Sequence, residues 1–186
     1  MFKVSGLKFE VNVIALTSTW NLKPRTSNDI MDTGLLHLHN LLRWVILILL
    51  LASLFKAFSG WRNNKTFSPG DRRIWLFTLI AAHITLLVGL FQWLWGPYGI
   101  LTATLPEGES IMKNRFFRFF WVEHPTFMVL AIVMITLGYG MSKKSVPDNV
   151  KYRRAFWFFF IALLMILVAV PWPFRVGIGR PWLPGM

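Results

Sequence analysis

Four long apolar runs separated by short polar segments make up the chain from about residue 31 onward. They lie near Leu35–Phe58, Ile74–Trp95, Phe120–Met141 and Ala155–Phe174. Each supplies about 20 residues, which at roughly 1.5 Å per residue is enough to cross a hydrocarbon core of about 30 Å. The second and fourth runs are almost wholly apolar, whereas the first and third carry ionisable residues. The pattern predicts an all-α protein, an integral membrane four-helix bundle occupying residues 31–186. Residues 1–30 read differently. A short alternating stretch from Leu7 to Leu16 precedes a polar segment from Asn21 to Asp29 with Pro24, and no apolar core of signal-peptide length occurs. Either they form an N-terminal tail with some strand character, or translation begins at Met31 and they are not part of the protein.

Composition agrees with a lipid solvent. In a chain of 186 residues, 55% hydrophobic content is more than a soluble core of this size can hide. The ten Trp and 17 Phe suit helix ends at a headgroup layer. Cysteine is absent, which excludes disulfides, thiolate zinc sites, iron–sulfur clusters and covalently attached c-type haem. A net charge of +12 raises nucleic acid as a partner, but the basic residues sit between apolar runs rather than on a water-exposed face. They therefore report topology. Arg62, Lys65, Arg72 and Arg73 lie in loop 59–73, and Lys143, Lys144, Lys151, Arg153 and Arg154 in loop 142–154. In the opposite loop, Gly96–Phe119, Lys113, Arg115 and Arg118 are offset by Glu107 and Glu109. The positive-inside rule makes the first two loops cytoplasmic and both termini outward.

The halves also share an order of residues. Gly60, Pro69, Asp71, Arg72, Arg73, Trp75 and Phe77 follow the first span; Gly140, Pro147, Asp148, Arg153, Arg154, Trp157 and Phe159 follow the third. This order fits a two-helix internal repeat about an axis along the membrane normal, and it equally fits two basic loops capped by interfacial tryptophans.

The chemistry lies in the polar residues that the spans must absorb. Trp44–Phe55 is too short to cross, so the first span has to include Arg43 and His39. The third, apolar from Thr126 to Gly140, must take in Glu123 and His124. Ionisable groups inside a bilayer are costly, and each is a functional candidate for that reason. On the helical rise, His39 and His124 both lie roughly 6 Å below the outer end of their spans, and His83 lies about 18 Å down, near the midplane. Two histidines at one depth on different helices are what a b-type haem requires, with Arg43 and Arg175 as cationic partners for its propionates. His37 rivals His39, because residues two apart on a helix point about 200° apart. His83 remains a ligand candidate if its helix tilts. The competing reading pairs Glu123 with Arg43 as a structural ion pair and leaves the histidines without a metal. Gln92 with Phe91, Trp93 and Trp95 reads either as the border of a quinone pocket or as an aromatic belt. A diiron site lacks the carboxylates it needs. No phosphate loop, zincin helix or nucleophile elbow occurs, so no catalytic residue is assigned.

The segments His37-Leu-His39-Asn-Leu-Leu-Arg43-Trp44, Val122-Glu123-His124-Pro125 and Pro171-Trp-Pro-Phe-Arg175, together with His83, resemble small four-helix bacterial membrane proteins labelled cytochrome b-like. The resemblance covers about residues 31–175. It implies a b-type haem and electron transfer, with His39, His83 and His124 as ligand candidates, in a multi-pass protein of the bacterial inner (cytoplasmic) membrane. On this reading the protein is a carrier or respiratory subunit passing electrons between a quinol pool and an outward-facing partner, rather than a free-standing enzyme. The alternative is a cofactor-free accessory or assembly subunit of a membrane complex. Both readings leave homo- and hetero-oligomers open.

Overall fold

In the computed structural model, which describes residues 27–183 with side chains from residue 31, every apolar run becomes a helix. The helices are α1 (Ser27–Arg62), α2 (Pro69–Trp95), a short α3 (Arg115–Arg118), α4 (His124–Gly140) and α5 (Asp148–Ala169). A π-helical turn, Phe119–Glu123, joins α3 to α4, and a 3₁₀ turn, Met141–Lys143, follows α4. No strand occurs among the described residues. The alternating Leu7–Leu16 segment lies outside them.

Four helical stretches are long and apolar enough to cross a membrane: Met31–Arg62, Pro69–Trp95, Arg115–Lys143 and Asp148–Ala169. Both α1 and α4 pack against α2 and α5, so α1 and α4 stand across one diagonal of the bundle, α2 and α5 across the other. The end at which α1 begins and α5 finishes is called the upper end; the two basic loops lie at the lower end.

The inside and the outside of the bundle are both apolar. Leu50, Ala57, Trp75, Ala82, Ala131, Ile135, Phe159 and Ala162 are fully buried, while Ile48, Phe55, Leu87 and Val168 are more than half exposed. Such an exterior suits lipid, and small residues then govern how closely helices approach. Gly60 meets Tyr152 of α5 so closely that a Cβ would stand 2.5 Å from its ring. We expect Gly60→Ala to destabilise the fold by about 1–3 kcal/mol, because the ring is itself boxed in. A lowered thermal midpoint in detergent would show this; an unchanged one would mean that the two helices separate freely at this level.

A buried polar clasp closes the lower end. Ser68 caps α2 in a reciprocal capping box with Asp71. The Asp71 carboxylate also accepts from Lys56 of α1 at 2.9 Å and from the Tyr152 hydroxyl of α5 at 2.7 Å. One carboxylate thus joins three helices. Asp148, its counterpart in the proposed repeat, accepts from the Phe67 backbone N–H at 2.9 Å and pairs with Lys151, but Pro147 before it offers no side-chain cap.

The upper end is shaped by proline. The fourth span, expected to reach Phe174, stops at Ala169, with Val170 already extended before Pro171. Pro171 and Pro173 have no N–H to return to the carbonyls of Leu167 and Ala169. The Trp172 indole N–H supplies the first at 2.8 Å. The second is taken up by His124, described below. Beyond Val170 the chain turns back over the upper end as a strap. Arg43 Nη2 donates to the carbonyls of Pro181 (3.1 Å) and Trp182 (2.8 Å), and Trp44 Nε1 donates to that of Trp182 (2.8 Å).

Candidate functional site

His39 of α1 and His124 of α4 come from diagonal helices and meet inside the upper half of the bundle. Their ring centroids are 6.3 Å apart, with the planes at 72°. Three local features set this geometry.

The first is the π turn immediately before His124. One extra residue per turn rotates everything after it, and π turns concentrate at functional sites for this reason. The second is Pro125. It cannot donate to the carbonyl of Trp121 four residues earlier, and Trp93 Nε1 of α2 fills that position at 3.0 Å. The third is the carbonyl of Ala169, freed by Pro173, which accepts from His124 Nδ1 at 2.8 Å. A carbonyl only accepts, so this bond fixes the proton on Nδ1 and leaves Nε2 with a lone pair. On the other side, His39 packs against Gly89 of α2, where a Cβ would come within 3.1 Å of the imidazole Cε1. His39 Nδ1 is buried with no hydrogen-bond partner.

Both rings face a cavity of about 380 Å³, in the size range of small-molecule sites. Its wall is mostly apolar, with Ile46, Leu86, Met128, Ile132 and Ile166 among the contributors. The polar contributors include His37, His39, Arg43, Gln92, His124 and Arg180, and among the described residues no carboxylate lines it. Two further buried nitrogens among these residues, Arg43 Nε and Gln92 Nε2, lack a partner. Buried donors are nearly always satisfied, so three unsatisfied nitrogens around one cavity are a departure that needs a cause.

The other residues singled out from sequence are placed as follows. His37 is half-buried and lines the cavity beside His39 rather than being excluded from it. His83 is exposed on the far side of α2, its Nδ1 donating to the carbonyl of Leu79 at 2.9 Å, and it does not line the cavity. The ion pair expected between Arg43 and Glu123 is not formed. Glu123 accepts from Arg118 at 2.8 Å, because a π turn brings residues five apart onto one face, and Arg43 is committed to the strap carbonyls. Arg175 also lies outside the cavity wall, donating to the carbonyls of Val168 (2.9 Å) and Val170 (3.3 Å) with its guanidinium over Phe119. Gln92 and Trp93 line the cavity, whereas Phe91 and Trp95 lie outside its wall and pack on each other with their rings tilted at 39°.

Sequence reasoning missed Arg180, which lines the cavity with its guanidinium over Tyr98, Phe116 and Phe120, and it missed the strap carbonyls and Gly89. Among the described residues no three His, Asp or Glu side chains gather as ligands. A pair of imidazoles is what the protein does bring together. No family model, curated protein or solved structure matches this chain.

Proposed function

We propose that the protein is a b-type cytochrome-like electron-transfer protein of the bacterial cytoplasmic membrane, with haem held in the upper half of the bundle by His39 and His124. The observation that carries this reading is the meeting of two imidazoles from diagonal helices in an apolar cavity, one with its Nδ1–H pinned by a backbone carbonyl. Imidazole nitrogens are common ligands of haem iron, and His39 and His124 would supply two of them. An imidazole whose other nitrogen donates to a carbonyl is a well-oriented ligand. Gly89 leaves room for His39 against α2, and the unpartnered nitrogens point to a missing polar group. When bound, the haem would supply one-electron chemistry. The chain's own part is to hold the ligands, exclude water and set the polarity of the surroundings.

Orientation follows from charge. The basic loops at the lower end face the cytoplasm, which puts the cavity in the outer leaflet. Electrons would then pass between the quinol pool and a partner on the outward side.

A cofactor-free accessory subunit is favoured by one observation. Arg43 and His124 already bind carbonyls of other segments and so help to hold the fold without a ligand.

An absorption spectrum of detergent-purified protein made with ample haem separates the two. A Soret band with sharp α and β bands after dithionite is expected for the cytochrome. A featureless visible region would rule it out and leave the accessory subunit.

A further inference from the structure

Among the described residues Arg43 is a cation without an anion. It is buried, with 8% of its surface exposed, and takes part in no salt bridge. Its Nη2 meets only neutral carbonyls and its guanidinium lies near the faces of Trp44 and Trp172, while Nε has no acceptor at all. A buried charge answered only by dipoles is poorly compensated in a low-dielectric interior. The cavity wall carries a second buried donor without an acceptor, Gln92 Nε2, and among the described residues it offers no carboxylate to either.

The geometry points to a ligand carboxylate as the missing counter-ion: the cavity selects apolar-bodied carboxylic acids, with Arg43 as the charge partner and Gln92 as a second donor. This deepens the haem reading, because a b-type haem carries free carboxylates, but it depends on the acid group and not on iron. A long-chain fatty acid presents the same chemistry, and the ion pair with Arg43 would form in either case with hydrogen bonds to Nε–H. Charge-assisted hydrogen bonds in such surroundings are the strong ones, and esterifying the acid removes both the charge and much of the acceptor strength. Selectivity for acid over ester is therefore the direct signature.

The test uses the full chain in detergent, with binding followed by the fluorescence of iron-free protoporphyrin IX and of its dimethyl ester. The free acid is expected to bind at least roughly ten-fold more tightly than the diester, the ratio that corresponds to one charge-assisted hydrogen bond. Gln92→Leu, which leaves the strap contacts intact, should narrow that ratio, Arg43→Gln should abolish it, and Arg43→Lys should restore part of it by returning the charge. Displacement of protoporphyrin by oleate, lost in Arg43→Gln, would identify a chain acid as a source of the carboxylate. Failure of oleate to compete would assign the site to the porphyrin acid. Equal affinity for acid and diester, or no binding of either acid, overturns the proposal. The haem reading fails separately: if haemin binds no more tightly than iron-free protoporphyrin, the histidines do not ligate iron, and the preference for acid over ester still stands.

Discussion

Replacing His124 with alanine is expected to abolish the proposed haem binding while leaving the bundle folded. The substitution removes one axial nitrogen and also leaves the carbonyl of Ala169 without a donor, because Pro173 cannot supply one. Losing an orienting hydrogen bond to a ligand typically costs 10–100-fold in affinity, and losing the ligand itself should cost more than about 100-fold. The unmet carbonyl adds about 1–3 kcal/mol of destabilisation, which four packed helices can absorb. Purified His124→Ala should therefore show helical circular dichroism close to that of the parent and no Soret band. His39→Ala should behave alike. His83→Ala provides the contrast, since His83 faces away from the cavity and its replacement should leave haem content unchanged. A spectrum lost in His83→Ala but kept in His124→Ala would sink the ligand assignment.

The second large effect lies at the lower end and concerns stability alone. Asp71→Ala removes the one carboxylate that meets Lys56, Tyr152 and the capping serine. Breaking a buried pair by deleting one partner costs about 3–5 kcal/mol, and the Ser68 backbone N–H, which donates to the carboxylate in the capping box, loses a bond typically worth about 1 kcal/mol. Lys56 keeps 39% of its side chain exposed, so the pair's share should fall at the lower end of that range. Tyr152→Phe removes only one donor and should cost about 1 kcal/mol. Denaturation in a graded detergent series would rank the two. If Asp71→Ala shifts the midpoint no more than Tyr152→Phe, the carboxylate is not the junction the contacts make it. Haem content of the surviving folded fraction should not change in either variant, because the clasp and the cavity lie at opposite ends of the bundle.

Depth was legible in the sequence and azimuth was not. Counting residues at a fixed rise along the spans put His39 and His124 on one level, and the structure brings them together. The competing reading paired Arg43 with Glu123, yet the two never meet, because the π turn directs Glu123 to Arg118. His83 failed as a cavity residue for the same reason. Trp75, Thr78 and Ala82, spaced three and four apart, form the buried face of α2, and position 83 lies about 100° off it. That spacing was readable. The role of the Pro-Trp-Pro segment was readable in part: proline cannot continue a helix, but each proline also frees a carbonyl, and finding its donor requires the fold. The strap was the least legible element. Its contacts join residues 43 and 182 through backbone oxygens, to which sequence pattern is blind.

The strap also fixes an order of assembly. A chain emerging from the ribosome delivers its N-terminal helices first. His39, Gln92 and His124 can all be in the membrane before residues 171–183 have docked. The roof over the cavity, built from the carbonyls that hold Arg43, arrives only when residue 182 does. The bundle's upper end thus stays open until the strap docks, and a bulky planar guest of the kind proposed would enter in that interval without prising any finished contact apart.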